Sequence, residues 1–202
     1  MSEGSSTLYE LTDRIRQFSP EHLDVFASLS DDEFQFAFDS LLGKALDGME
    51  KSKVQFQGLD EPSLSAVLKL AMTMPGLSVR LEEHSNGHAD LIFECYRLGI
   101  ARHILGEAKI YDGPKYHIDG LKQLLGYMTG RELRGLMVVY MRKANGTLLM
   151  QKVRDAMDAD KPAGQQGLTK PHSLKWAFDS NNTLVSGDCL QISHVVCNLY
   201  VE

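Results

Sequence analysis

The chain has 202 residues, 43% of them hydrophobic and 24% charged, a globular composition with room for one domain and an appendage or for two small domains. No apolar run is long enough to span a membrane, and a net charge of −6 argues against a protein that coats nucleic acid indiscriminately. Cys95, Cys189 and Cys197 show no CxxC spacing and residues 1–18 are acidic and polar rather than basic then apolar, so buried inert thiols in a reducing, cytoplasmic setting are expected.

Residues 1–52 carry eleven acids against four bases and read as an acidic helical extension. Leu8, Leu11, Ile15 and Phe18 recur at helical spacing. Ser19-Pro20 opens a short helix over Glu21 to Ala27. Ser30 and Glu33 form a capping box, and the helix they start carries Phe34, Phe38, Leu41, Leu42 and Ala45 on one side. Such an extension suits a protein partner or a second copy of the chain, or else closes the main core as a helical layer.

A second domain is expected over residues 53–202. Asp60 caps a helix with Pro62 in its first turn and Leu64, Val67, Leu68 and Ala71 as its buried stripe; Pro75 stops it. Leu77 to Glu83 alternates with the period of a half-buried strand, and His84 to Gly87 is a turn. A second strand spans about His88 to Tyr96, Leu98-Gly99 turns the chain, and a third strand covers Ala101 to Ile110. After the break at Tyr111 to Pro114, a helix from about Tyr116 to Met128 presents Ile118, Leu121, Leu124, Leu125 and Met128. Gly135 to Met141 is continuously apolar, as in a strand covered on both faces. Leu148 to Met157 suggests another helix, and Ser173 to Phe178 and Asp188 to Val201 read as closing strands. Trp176 is expected in the core.

The chemistry-bearing residues gather between Gly87 and Lys143. Residues 97–143 hold nine bases against four acids, a balance that suits a polyanionic substrate or an ordinary solvated face. Glu107 and Lys109 lie two apart on a strand, so both leave the same face, while Ala108 turns into the core with its carbonyl available as an oxygen ligand. Asp90, on the preceding strand, meets Glu107 if the Leu98-Gly99 turn sets the register. Two carboxylates sharing a hard cation beside a lysine suit metal-assisted phosphodiester hydrolysis. A solvent-facing pair on an edge strand is the alternative, and the apolar flanks Leu91-Ile92-Phe93 and His103-Ile104-Leu105 speak against it. His84, His88, His103 and His117 fall across turns and strands, with no HxxxH pair on a helix to hold zinc. No GxSxG, GxxxxGK[ST] or GxGxxG motif occurs.

With Asp90, Glu107-Ala108-Lys109 and Gln123 to Tyr127 on an order of helix, three strands, helix and strand, the sequence resembles the PD-(D/E)XK nuclease superfamily, with a QxxxY motif as in the RecB-like branch. Ala89 stands where the eponymous proline would be. The resemblance covers about residues 61–141. It implies an α/β restriction-endonuclease-like core and a Mg2+- or Mn2+-dependent deoxyribonuclease, with Asp90, Glu107, Ala108 and Glu61 around the metal and Lys109 serving the attacking water. Gln123 and Tyr127 would support the lysine or the DNA. Lys115, Tyr116, His117 and Lys122 are the expected nucleic-acid contacts. Prokaryotic antiviral defence, restriction or repair follows from the resemblance alone. A catalytically silent subunit of the same fold, binding DNA or a partner protein, is the alternative.

Overall fold

The structure is a computed structural model that describes residues 7–81, 89–97 and 99–202. The turn expected at His84 to Gly87, the end of the first strand, and His84 and His88 themselves lie outside the described residues. The chain divides into two compact units, Met1–Lys44 and Ala45–Glu202. The division falls inside a helix, ahead of the 52/53 boundary expected from composition.

The first unit is helical, with α1 (Leu8–Phe18), α2 (Pro20–Ala27) and the larger part of α3 (Asp31–Lys51). Thr7 and Glu10 form a capping box at the start of α1, and Pro20 occupies the first turn of α2. The Ser30–Glu33 box stands as the sequence predicts: Glu33 N–H donates to Ser30 Oγ at 3.2 Å, and the Leu29 and Ser30 N–H groups donate to Glu33 Oε2 at 2.7 and 3.4 Å. Lys44 pairs with Glu21 at 2.8 Å, a solvent-facing contact worth about 1 kcal/mol at most.

The second unit contains α4 (Glu61–Met72), β1 (Ser78–Leu81), β2 (Leu91–Arg97), β3 (Ile100–Ile110), α5 (Pro114–Tyr127), β4 (Arg134–Met141), α6 (Gly146–Asp160), β5 (Lys170–Pro171), β6 (Phe178–Thr183) and β7 (Cys189–Asn198). Its strands form one mixed seven-stranded sheet in the order β1-β2-β3-β4-β7-β6-β5. β1, β2 and β3 make an antiparallel meander, β4 lies parallel to both β3 and β7, and β6 and β5 continue antiparallel. The fold is therefore α/β, and the helix, three strands, helix and strand expected over residues 61–141 occur in that order.

Alternation along the strands separates two faces. On one, Leu64, Leu68 and Met72 of α4 are buried, and Ser65 Oγ lies 3.4 Å from the Tyr140 hydroxyl. On the other, Leu121, Leu124, Met128, Met150, Val153 and Met157 of α5, α6 and the turn between α5 and β4 share a core with Met137, Val139, Ile192 and Val196. β4, covered on both faces, is buried at every residue. Between β2 and β3, Gly99 has φ +80°, a conformation that glycine adopts without strain; Leu98, the other residue of the expected turn, lies outside the described residues.

Three expectations need correction. No strand occupies residues 173–177; the chain pairs as β5 and β6 instead. In β6 the inward residues are Phe178, Ser180 and Asn182, so two polar side chains hide the alternation that would have marked the strand. Cys95 and Cys197 are buried but Cys189, at the start of β7, is exposed. Trp176 sits at the margin of the core, partly buried against it, with a backbone φ of +62°.

Candidate functional site

β2 stops where Leu91 pairs with Gly106, whereas β3 runs on to Ile110. The odd-numbered residues of β3 and its extension face β4, since His103 C=O accepts from Leu133 N–H at 2.9 Å and Tyr111 N–H donates to Tyr140 C=O at 3.0 Å. The backbone groups of Ala108 and Ile110 therefore point to an edge along which β2 no longer runs. An amide left unpaired there would cost about 1–3 kcal/mol. Two carboxylates meet the need: Asp90 Oδ2 accepts from Ala108 N–H at 3.0 Å, and Glu61 Oε2 accepts from Ile110 N–H at 2.8 Å.

Local sequence explains why these acids arrive. Asp90 immediately precedes β2, and the β2–β3 register sets it level with the end of β3. Glu61 is the first residue of α4, whose start is fixed by Asp60 Oδ1 accepting from Ser63 N–H at 2.9 Å. The segment leading into it is held by Arg142, which follows β4 and donates to the carbonyls of Phe56 and Leu59.

Glu107 and Lys109 project from the α5-covered face, and Ala108 turns its methyl group into the core on the other side. The Lys109 ammonium lies 2.6 Å from Glu107 Oε1, 3.4 Å from Glu61 Oε1 and 3.8 Å from Asp90 Oδ2. Glu107 is only 3% exposed. Burial pushes its carboxyl up to about 7, and Asp90 and Glu61 add to the rise against the opposing pull of Lys109. Burial works to lower the lysine, but its hydrogen bond to Glu107 and the charges of Glu107, Glu61 and Asp90 prevail and hold it above its ordinary value. The lysine stays an ammonium.

Three carboxylates surround one ammonium, and the rise of Glu107 comes first from burial and only then from the charges of Asp90 and Glu61. The donors are hard oxygens of the type magnesium and manganese take. On a strand, a residue's N–H and C=O leave on the same side, so the Ala108 carbonyl shares the open edge with Asp90. A cleft of about 100 Å3, lined by Glu61, Pro62, Ser65, Leu81 and Asp90, adjoins the cluster. It has room for a few waters. Donor chemistry, charge and space thus fit a hydrated divalent cation. Among the described residues, no three His, Cys, Asp or Glu side chains are spaced to hold a metal by themselves; the carboxylates are arrayed around the lysine.

The structure brings together Glu61, Asp90, Glu107, Lys109 and the Ala108 backbone. It does not bring Gln123 and Tyr127 into their hydrogen bonds: on α5, Gln123 is exposed and Tyr127 half-buried. Lys115 and Lys122 are exposed, and both pair with Asp119, at 2.6 and 3.7 Å, which reduces the positive charge they offer to a polyanion. Tyr116 is 42% exposed. His117, expected to touch nucleic acid, is instead buried, with its Nε2 2.8 Å from His194 Nδ1. A histidine in the first helical turn looks solvent-facing in sequence, but this turn lies against β7. His194, Ser180 and Asn182, which complete that buried polar chain, carry no sequence signal.

No protein-family model, curated protein or solved structure matches the chain.

Proposed function

We propose that the chain is a metal-dependent nuclease that hydrolyses phosphodiester bonds in DNA, on a restriction-endonuclease-like core. The observation that carries this reading is the convergence of Glu61, Asp90 and Glu107 on the Lys109 ammonium at the open edge of β3. Asp90, Glu107 and the Ala108 carbonyl would hold Mg2+ or Mn2+, with Glu61 joining from α4. The bound cation supplies neutralisation of phosphate charge and a more acidic water. Lys109 donates hydrogen bonds to the attacking water and to the phosphoryl oxygens as charge builds on them. Ala108 N–H fixes the direction of the Asp90 carboxylate, and Ile110 N–H does the same for Glu61. Glu107, buried and near its midpoint at neutral pH, must be ionised to serve as a ligand. A single site cuts one strand, so a double-strand break needs a second copy or a partner.

One observation favours the silent alternative, a subunit of the same fold that binds DNA or a partner: Lys109 already neutralises part of the cluster, and the acids surround it rather than a shared ligand point. Cleavage of supercoiled and linear DNA with Mg2+, with EDTA and with Lys109→Ala separates the two. Metal-dependent cutting lost in the variant establishes the nuclease and its lysine. No cutting together with no Mg2+ binding leaves the silent subunit.

A further inference from the structure

Gly120 lies in the middle of α5, where glycine is a poor helix former, and its backbone is an ordinary helical one outside the positive-φ region. Nothing in the helix itself requires glycine there. The reason lies beneath it. A Cβ at position 120 would stand 3.1 Å from Lys109 Cγ, 3.2 Å from Lys109 Cε and 3.2 Å from Met137 Cε. The lysine stem passes across the bare glycine on its way to Glu107. Gly126, in the same helix, has nothing within 4 Å of such a Cβ, so close approach is particular to Gly120.

α5 has little freedom to rise away. One turn earlier His117 is hydrogen-bonded to His194 of β7, and Leu121 and Leu124 are fully buried against the sheet. The flexible end of Met137 yields to an added methyl group; the lysine stem is touched at two carbons and would shift as a whole. We infer that Gly120 is a positioning residue, a seat that holds the Lys109 stem so that its ammonium reaches Glu107, Glu61 and Asp90. This rests on the nuclease reading for its catalytic consequence, though not for the contact itself.

The test uses the full chain with Gly120→Ala and, as a control on the same helix, Gly126→Ala. Three quantities are measured: folding by circular dichroism, the Lys109 Nζ and Cε resonances by NMR, and Mg2+-dependent DNA cleavage. For Gly120→Ala we expect a folded protein, shifted Lys109 resonances, and kcat reduced about tenfold or less with KM unchanged, since contacts of 3.1 and 3.2 Å displace the stem by a few tenths of an ångström and a full 1 Å costs about a hundredfold. Gly126→Ala should match the wild type in all three. Lys109 resonances that coincide with the wild type in folded Gly120→Ala overturn the proposal. If the wild type itself never cleaves DNA, the nuclease reading falls while the resonances still decide the seat. If Gly120→Ala alone does not fold, Gly120→Ala with Lys109→Ala decides: a folded double variant with Tm no lower than Lys109→Ala supports the seat, and one that stays unfolded refutes it, because the obstacle is then not the lysine.

Discussion

Replacing Glu107 with glutamine removes a buried carboxylate whose ionisation the fold resists. The sign follows from where the proton sits. An unfolded glutamate ionises near its ordinary value of 4.5, while the folded one holds its proton to about 7, so between these values the native state binds more protons than the unfolded chain. Stability therefore falls as pH rises through this window. That difference amounts to about 3 kcal/mol, fully felt above pH 7. Glutamine, like the protonated acid, escapes this cost; the pull of Lys109 is already contained in the net rise, and Glu61 and Asp90 remain to partner the lysine. Without metal, Glu107→Gln should be more stable than the wild type by about 3 kcal/mol at pH 8, and should lose that advantage by pH 4.5. The single tryptophan, Trp176, belongs to the unit that carries the site, so its fluorescence in urea titrations at the two pH values reads the relevant transition. Mg2+ should largely close that gap at pH 8, since a ligand at 100 times its Kd stabilises by about 2.7 kcal/mol and glutamine is a poor substitute for a carboxylate. A variant less stable than the wild type at pH 8 without metal, or a difference that does not change with pH, would refute this account of Glu107.

Ser180→Ala leaves the His194 N–H without its acceptor in a fully buried place, and urea unfolding should show a loss of about 1–3 kcal/mol. At Gly135 of β4 an added Cβ would stand 2.6 Å from Ile192 Cδ1 and 3.1 Å from Leu124 Cδ2. Gly135→Ala should therefore destabilise by about 1–3 kcal/mol through overpacking, measured in the same titration.

The parts of this molecule that were legible in its sequence are those governed by local rules. Pro62 and Asp60 announced α4, the apolar run 135–141 announced the doubly covered β4, and the apolar runs on either side of Leu98-Gly99 announced the β2–β3 pairing whose register brings Asp90 beside β3. What escaped depended on partners distant along the chain. Glu61 could be named from resemblance, but its bond to Ile110 N–H exists only because β2 ends before β3 does. Gly120 gave no sign of a role, because its reason is the side chain of a strand beneath it. His117 looked exposed because its burial comes from β7, 77 residues further along. The division between the two units was invisible for another reason: α3 runs through it without a break in helical pattern.

His117 also governs a pH response opposite to that of Glu107. Asn182 Nδ2 donates to the carbonyls of Pro162 and Ala163, which leaves its Oδ1 to accept from the Ser180 hydroxyl at 2.7 Å. Ser180 Oγ then accepts from His194 Nε2–H at 2.9 Å, and His194 Nδ1 accepts from His117 Nε2–H at 2.8 Å. The direction of the chain is thereby fixed, and it ends on a bare His117 Nδ1 with no partner among the described residues. Burial lowers His117 to about 4, and burial together with the neighbouring His117 holds His194 well below its ordinary value. Between pH 6.5 and 4 the unfolded chain takes up protons that the native state refuses, so stability contributed by His117 is complete above 6.5 and falls by about 3 kcal/mol on acidification to 4. Over pH 4.5 to 6.5 this loss opposes the gain from Glu107, and the wild type should respond to acid less steeply than either group alone would dictate. His117→Gln keeps a donor in the place of Nε2 and cannot titrate. In urea titrations from pH 7 to pH 4 it should lose about 3 kcal/mol less stability than the wild type, and Glu107→Gln should lose more. Parallel acid profiles for His117→Gln and the wild type would mean that the imidazole pair does not remain neutral in the folded state.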